Sequence, residues 1–133
     1  MILVDTSVWV SAFRSAGGET ARVLRQLLDD DEVALAVPVR IELLIGVSRR
    51  DRVALRRALS ALPVIHPTEQ DWDRIDHWVD IASRVRQQFG FADLLIGAIA
   101  SDNGLLIWSL DRDFSRMAKL GWLKLFRHDK SQA

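Results

Sequence analysis

The stretch Ile2-Leu3-Val4-Asp5-Thr6-Ser7-Val8-Trp9 contains the pattern that decides the fold. Three consecutive apolar residues predict a short buried strand, and the acid that follows them ends it. The hydroxyl side chains of Thr6 and Ser7 are typical helix N-caps, so a helix is expected to begin at once. A buried strand that passes directly into a helix is the repeating unit of a parallel α/β sheet.

The same alternation of short apolar runs and amphipathic segments continues along all 133 residues. Further strands are predicted at residues 33–37, 64–65, 105–110 and 123–126. Helices are predicted at residues 8–13, 19–30, 39–48, 51–61, 68–89, 92–102 and 113–120, the long fifth helix being stopped by Gly90. Because the strands are apolar throughout, both faces of the sheet should be covered. We therefore expect a single domain over residues 1–133, an α/β/α three-layer sandwich with a central parallel sheet.

Composition narrows the class of protein. With 49% hydrophobic and 27% charged residues, the chain can bury a core, which excludes bulk disorder. The 18 basic and 18 acidic side chains cancel, so binding of a polyanion requires a local patch or metal ions. The absence of cysteine excludes disulfides, thiolate zinc sites and thiol catalysis. No apolar run reaches the ~18 residues of a membrane span and no signal peptide is recognisable, so we expect a cytoplasmic protein without membrane contact.

Four acids lie in apolar surroundings near the predicted carboxyl ends of strands. Asp5 and Asp111 each follow a strand, Glu42 lies one turn into a helix that leaves a strand, and Asp93 opens a buried helix. The carboxyl ends of parallel strands meet at one edge of a sheet, so these side chains should converge. Their mutual repulsion could be offset by arginine partners, by protonation of one acid or by a divalent cation. With only oxygen ligands available, a cation would be Mg²⁺ or Mn²⁺ rather than zinc.

Each acid also has a simple structural interpretation. Asp5 could cap the first helix, and Asp93 could complement a helix N-terminus. Glu42 could pair with a neighbouring arginine, while Asp111 and Asp113 could be solvated loop charges. The convergence of all of them on one predicted edge favours a metal site over several unrelated explanations.

Four segments, each carrying an acid, occur in an order typical of one family. They are Val4-Asp5-Thr6-Ser7-Val8-Trp9, Glu42-Leu43-Leu44-Ile45-Gly46, Phe91-Ala92-Asp93-Leu94-Leu95-Ile96-Gly97-Ala98 and Ser109-Leu110-Asp111-Arg112-Asp113-Phe114. Together they resemble the PIN-domain family and, within it, the VapC toxins of prokaryotic toxin–antitoxin modules. The resemblance extends from Ile2 to about Phe126.

The resemblance implies a Mg²⁺- or Mn²⁺-dependent endoribonuclease that hydrolyses RNA with metal-activated water. The family's catalytic acids correspond to Asp5, Glu42, Asp93 and Asp111, and Asp5 and Asp93 are expected as the core metal ligands. Additional candidates are Thr6, Ser109 and Asp113. Asp111 and Asp113 remain alternatives for the fourth acid, and proximity to the strand end favours Asp111. Ser109 stands where the family usually has threonine, and serine keeps the hydroxyl.

Two partners follow from the same resemblance: a VapB-like antitoxin that neutralises the toxin, and a second copy of the chain in a homodimer. Trp9 and Phe13 follow Asp5 and could line a groove that receives the antitoxin. The candidate substrate-binding cations are Arg14, Arg40, Arg112 and Arg116, which could instead balance nearby carboxylates. Transfer RNA and ribosomal RNA are both compatible substrates.

Other classes of α/β protein fit the motifs less well. A catalytically silent PIN-like binding module is the main alternative, and its mark would be the loss of one or more acids, whereas all four are present. A receiver domain needs paired acids after the first strand. A haloacid-type phosphatase needs two aspartates separated by one residue, and residues 5–7 read Asp-Thr-Ser.

Overall fold

The computed structural model describes residues 1–128, in which strands and helices alternate as the sequence predicts. The strands are β1 (Ile2–Val4), β2 (Val33–Ala36), β3 (Val64–Ile65), β4 (Leu106–Trp108) and β5 (Lys124–Leu125). The helices are α1 (Thr6–Arg14), α2 (Glu19–Asp29), α3 (Val37–Gly46), α4 (Arg49–Leu59), α5 (Glu69–Arg84), α6 (Phe91–Asp102) and α7 (Arg112–Lys119). The predicted order of elements is confirmed, and the C-terminal end of the predicted domain, residues 129–133, lies outside the described residues.

The five strands form one parallel sheet in the order β3-β2-β1-β4-β5. The central strand β1 pairs with β2 on one side and with β4 on the other, although β4 follows it by about a hundred residues. Val4 lies opposite Trp108 in the β1–β4 ladder, so the residues that follow these two strands are brought face to face. The sheet reverses its direction of growth between β1 and β4, which is where α/β sheets place their ligands.

Helices cover both faces of the sheet. Right-handed crossovers place the helices that connect β1, β2 and β3 on one face, and the helices that connect β3, β4 and β5 on the other. The helix contacts largely follow this division, since α1 packs against α2 and α3 and α6 packs against α5 and α7, while α6 also contacts α3. The predicted three-layer α/β/α sandwich is confirmed. No helix within residues 1–128 is long and apolar enough to cross a membrane.

The buried helix α6 is held close to its neighbours by Gly97. A Cβ atom at this position would lie 3.2 Å from Leu123 Cδ2 and 3.2 Å from Met117 Sδ, which is closer than these side chains allow without moving. The indole of Trp78 also contacts this point and stacks on Trp122 with ring centroids 4.5 Å apart. This packing fixes the depth and orientation of α6, whose first turn carries Asp93.

The end of α5 differs from the prediction. The sequence places the stop at Gly90, but the helix ends at Arg84, and Arg86 adopts a left-handed conformation with φ of 57°. The backbone N–H of Gln87 donates to the carbonyl of Ala82 at 2.9 Å, which closes the last turn in the manner that usually requires glycine. The apolar pattern continues through Val85 and Phe89, beyond the end of α5 at Arg84, so the pattern does not indicate where the helix ends.

Candidate functional site

The carboxyl ends of β1 and β4 meet through a hydrogen bond between their following residues. Asp5 is only 5% exposed, and its Oδ2 accepts hydrogen bonds from the hydroxyls of Ser109 and Ser7, each at 2.7 Å. The backbone N–H of Asp5 donates to the carbonyl of Trp108 at 2.9 Å, continuing the ladder by one residue. The strand register thus makes Asp5 and Ser109 neighbours, and two donors hold one oxygen of the carboxylate in place.

Ser7 is a site residue, although its place in the sequence predicts only a helix cap. Its hydroxyl donates to Asp5 and accepts from the backbone N–H of Leu110 at 3.0 Å, so it joins the start of α1 to the loop after β4. No residue of the described chain donates a hydrogen bond to the other oxygen of Asp5, Oδ1. The signal available in the sequence was a hydroxyl two residues after an acid that ends a strand.

Glu42 enters the same edge from α3. Its Oε1 accepts a 2.7 Å hydrogen bond from the hydroxyl of Thr6, the residue that follows Asp5. Pro38, near the N-terminus of α3, stabilises the helix start because its fixed φ suits the first helical turn. Thr6 therefore orients Glu42 rather than standing beside Asp5 as an independent ligand.

Asp93, Asp111 and Asp113 form a compact trio, in which one carboxylate oxygen from each residue lies within 4.8 Å of the others. Asp93 comes from the first turn of α6, and Asp111 is the N-cap of α7, where its Oδ1 accepts from the N–H of Asp113 at 2.9 Å. Both alternatives for the fourth acid thus approach Asp93. Asp5 and Glu42 are not members of this trio, so the pairing of Asp5 with Asp93 is less direct than the sequence suggested.

Burial and the neighbouring charged groups together set the pKa values of the trio. Burial raises the pKa of Asp93 to about 7, with further contributions from a hydrogen bond to Asp113 and from the charges of Asp111, Asp5 and Asp113. In contrast, the hydrogen bond from Arg116 lowers the pKa of Asp113. At neutral pH the site is therefore an anionic cluster in which one carboxyl is poised to keep or lose its proton.

The donor set fits a hard divalent cation. Carboxylate oxygens are the ligands that Mg²⁺ and Mn²⁺ prefer, and a cation would relieve the repulsion that raises the pKa of Asp93. The hydroxyls of Ser7 and Ser109 orient Asp5 from the side, which is how supporting hydrogen bonds usually fix a metal-binding carboxylate.

The candidate substrate-binding arginines differ in their surroundings. Arg116 lies against Asp113 with N–O distance 2.7 Å, donates to the carbonyl of Gln88 at 2.9 Å and stacks over the ring of Phe89. These contacts make Arg116 a support for Asp113 rather than a free cation at the rim. The other three, Arg14, Arg40 and Arg112, make no side-chain hydrogen bond or ion pair within residues 1–128.

The two aromatic residues predicted to line a groove, Trp9 and Phe13, differ in their exposure to solvent. Trp9 is only 5% exposed and belongs to the core, so that part of the prediction is wrong. Phe13 is 53% exposed and contacts Trp9 with ring centroids 6.1 Å apart. A concavity along α1 is lined by Val10, Arg14 and the exposed Leu110. Trp9 and Phe13 are four residues apart and share a face of α1. Phe13 is the more exposed of the two because it lies in the last turn of the helix, beyond the part of that face that the core covers.

The parallel α/β sandwich and the carboxylates at its topological switch point define the class of protein as an α/β domain with an acidic candidate active site. Residues 2–120 match the family described as the PIN domain. The chain is 30% identical over 125 residues to ribonuclease VapC11 of Mycobacterium tuberculosis, covering 90% of this chain and 93% of that protein. The chain belongs to the PIN-domain family and, within it, groups with the VapC ribonucleases.

Solved structures share the fold. The crystal structure of VapBC2 from Rickettsia felis, bound to a DNA fragment from its promoter, aligns with a TM-score of 0.79 at 22% identity, covering 97% of this chain and 100% of that one. Mycobacterium tuberculosis VapC20, described as a sarcin–ricin loop cleaving toxin, aligns with a TM-score of 0.65 at 23% identity, covering 87% and 94%. These likenesses show that the chain shares the fold of these proteins.

Proposed function

We propose that this protein is a Mg²⁺- or Mn²⁺-dependent endoribonuclease toxin that a VapB-like antitoxin neutralises. The observation that carries the proposal is the trio of Asp93, Asp111 and Asp113 with Asp5 and Glu42 at the same edge of the sheet. The ribonuclease relatives named above support the reaction class. The protein is proposed to act in the cytoplasm as one PIN-like domain over residues 1–133.

Each acid of the site has a proposed role in holding the metal ion. A bound Mg²⁺ or Mn²⁺ would supply the charge that activates water and polarises the scissile phosphodiester. Asp93, Asp111 and Asp113 would hold the ion, and Oδ1 of Asp5 accepts no hydrogen bond from residues 1–128. Asp93 would release its proton when the ion binds, since its pKa is about 7 without one. Glu42, fixed by Thr6, would assist directly or through water.

The antitoxin is proposed to bind the apolar surface next to the acids. Phe13, Leu110 and Ile45 are all exposed, and they belong to segments that also carry site residues. Large exposed apolar side chains near a functional site favour a protein partner. An amphipathic segment with one arginine or lysine could cover this surface and pair with the acids, which would inhibit by competition.

A homodimer is the second proposed assembly. Phe91 is 67% exposed and stacks on the exposed Trp72, with ring centroids 6.1 Å apart and an interplanar angle of 13°. A stacked aromatic pair in water is a costly surface for a monomer and suits a protein interface. Light scattering of the purified chain tests this assembly, and a monomer at tens of micromolar would contradict it.

RNA cleavage by the purified chain tests the proposal. We expect the wild type to cut total transfer or ribosomal RNA with Mg²⁺ or Mn²⁺ and to be inactive in EDTA. The variants Asp5→Asn and Asp93→Asn should lose activity, whereas Asp80→Asn, an exposed acid on α5, should keep it. In cells, the wild type should arrest growth and Asp5→Ala should not. A folded wild type without metal-dependent cleavage would favour the catalytically silent binding module.

A further inference from the structure

Helix α4 carries the densest positive charge in the described chain. Its sequence, Arg-Arg-Asp-Arg-Val-Ala-Leu-Arg-Arg-Ala-Leu, holds five arginines and one aspartate over residues 49–59, a net charge of +4 in a chain of formal net charge zero. Such a concentration on one short helix is a local electrostatic feature that the balanced composition conceals.

Four of these arginines form one exposed ridge. Arg49 and Arg56 are two helical turns apart, as are Arg50 and Arg57, and both rows flank Val53. All four arginines are exposed, and none makes a side-chain hydrogen bond or ion pair within residues 1–128. We call these four residues the arginine ridge. Their guanidinium groups are therefore available to a ligand outside the chain.

The arginine ridge lies on the helical hairpin formed by α3 and α4, and α3 carries Glu42. Leu59 is buried and Leu55 half-buried on the opposite side of α4, which leaves the ridge facing away from the core. The fifth arginine, Arg52, donates through Nε to the carbonyl of Leu44 at 3.1 Å and ties α4 to α3. Two residues separate the two helices, so the ridge and Glu42 move as parts of one hairpin.

We propose that the arginine ridge binds the phosphate backbone of the RNA substrate outside the cleavage site. This inference rests on the proposed ribonuclease function. A site built from several acids repels a polyanion unless metal is bound, and the chain has no net charge to attract one, so a concentrated basic surface outside the site would add affinity for RNA. Arginine suits this task because its planar fork binds phosphate oxygens in pairs.

A protein partner fits the ridge less well than RNA. Stable protein interfaces are built around apolar or aromatic anchors, with charge confined to the rim. The only apolar side chain within the ridge is Val53, which is 63% exposed. Phosphates along an RNA strand, in contrast, offer repeated charge without needing a hydrophobic centre, and contacts of this kind position the strand without reading its sequence.

Binding of a fluorescent single-stranded RNA in EDTA, measured over a range of salt concentrations, tests the inference without cleavage. The variant carries Arg49→Gln, Arg50→Gln, Arg56→Gln and Arg57→Gln, and it leaves Arg52 in place to keep the hairpin intact. For single-stranded RNA, each phosphate contact contributes roughly 0.7 to the slope of the logarithm of the binding constant against the logarithm of the salt concentration. We therefore expect the magnitude of this slope to fall by about 3 in the variant, and the affinity at low salt to fall by about tenfold or more.

Two controls separate charge from structure. The fourfold Arg→Lys variant keeps the charge and should retain most of the salt slope, while Lys119→Gln with Lys124→Gln removes charge elsewhere and should change the slope little. Unchanged RNA binding by the folded Gln variant would overturn the inference and would favour an acidic protein partner for the ridge. Cleavage by the wild type in Mg²⁺ is scored separately, so a failure of the ridge and a failure of the nuclease proposal are distinguishable.

Discussion

The hydroxyl of Ser109 donates a 2.7 Å hydrogen bond to Oδ2 of Asp5, a residue 104 positions earlier in the chain. This contact exists because β4 is the neighbour of β1 in the sheet, with Val4 opposite Trp108. It fixes one carboxylate oxygen and leaves Oδ1 free of hydrogen bonds from residues 1–128. The orientation of Asp5 therefore depends on a side chain from the last motif of the sequence.

Removing the Ser109 hydroxyl should weaken metal binding. We expect Ser109→Ala to reduce Mn²⁺ affinity by about tenfold or more, because supporting hydrogen bonds to metal-binding carboxylates typically contribute this much. Ser109→Thr keeps the donor and should stay close to the wild type. Titration calorimetry measures the effect, with the exposed Ser83→Ala as control. Equal affinity of the alanine variant and the wild type would show that Asp5 needs no such support.

Metal binding should depend on pH through Asp93. The pKa of this group is about 7 without metal, so below pH 7 a cation must displace a proton. We expect Mn²⁺ affinity to fall by up to about tenfold for each pH unit below 7. Calorimetry in buffers of different ionisation enthalpy should detect proton release near pH 6 in the wild type and much less in Asp93→Asn. Binding without proton release by the wild type would contradict the prediction.

The same acid should destabilise the metal-free fold at high pH. Because the folded-state pKa of Asp93 is raised from 3.8 to about 7, its stabilising contribution is complete below pH 4 and is lost as the pH rises through 7. In EDTA at pH 8 we expect Asp93→Asn to be more stable than the wild type by about 2 kcal/mol, after allowance for solvent screening. Urea unfolding measures the difference, which should vanish near pH 4.

A second acid pair, remote from the site, predicts another pH effect. Asp71 is fully buried, and its pKa is raised by burial and by a hydrogen bond with Asp102. Oδ1 of Asp71 and Oδ2 of Asp102 have no other partner, while Arg74 holds the other oxygen of Asp102. One proton shared between the two carboxyl groups would satisfy both oxygens, and we expect the pair to hold one.

Replacing Asp71 therefore has opposite effects with different substitutions. Stability from the shared proton is complete below the pKa of the unfolded state and is lost as the pH rises through the raised pKa of the folded state. Asp71→Asn should therefore be more stable than the wild type at high pH and converge with it in acid. Asp71→Ala removes the acceptor of the 2.7 Å bond from the Thr68 N–H and should cost about 1 kcal/mol. Thermal unfolding between pH 4 and pH 9 compares them, and an Asn variant less stable than the wild type throughout would exclude the shared proton.

Phe13 and Phe91 form a matched pair for locating the antitoxin. Both are exposed phenylalanines, but Phe13 contacts the buried Trp9 on α1, the helix that follows Asp5, whereas Phe91 stacks on the exposed Trp72. We expect Phe13→Ala to weaken binding of the VapB-like antitoxin by more than about 1 kcal/mol, as aromatic anchors do, and Phe91→Ala to leave it nearly unchanged. The reverse order would move the antitoxin to the face proposed for the homodimer.

The sequence alone determined the layout of the fold and the edge at which its chemistry lies. Apolar runs such as Ile2–Val4 and helical periodicity report which faces are buried, and burial follows from local composition. The position of an acid after such a run then follows from the direction of the strand, which is why Asp5 and Asp111 could be assigned to one edge before any geometry was known.

Only the tertiary structure decided which side chains meet. Asp113 joins Asp93 because α7 begins beside α6, Ser7 and Ser109 share one oxygen of Asp5 because β1 pairs with β4, and Asp71 meets Asp102 across two packed helices. These contacts join residues far apart in sequence, and periodicity carries no information about register or neighbours. Strand order and helix packing supply that information, and the electrostatics of the site follow from them.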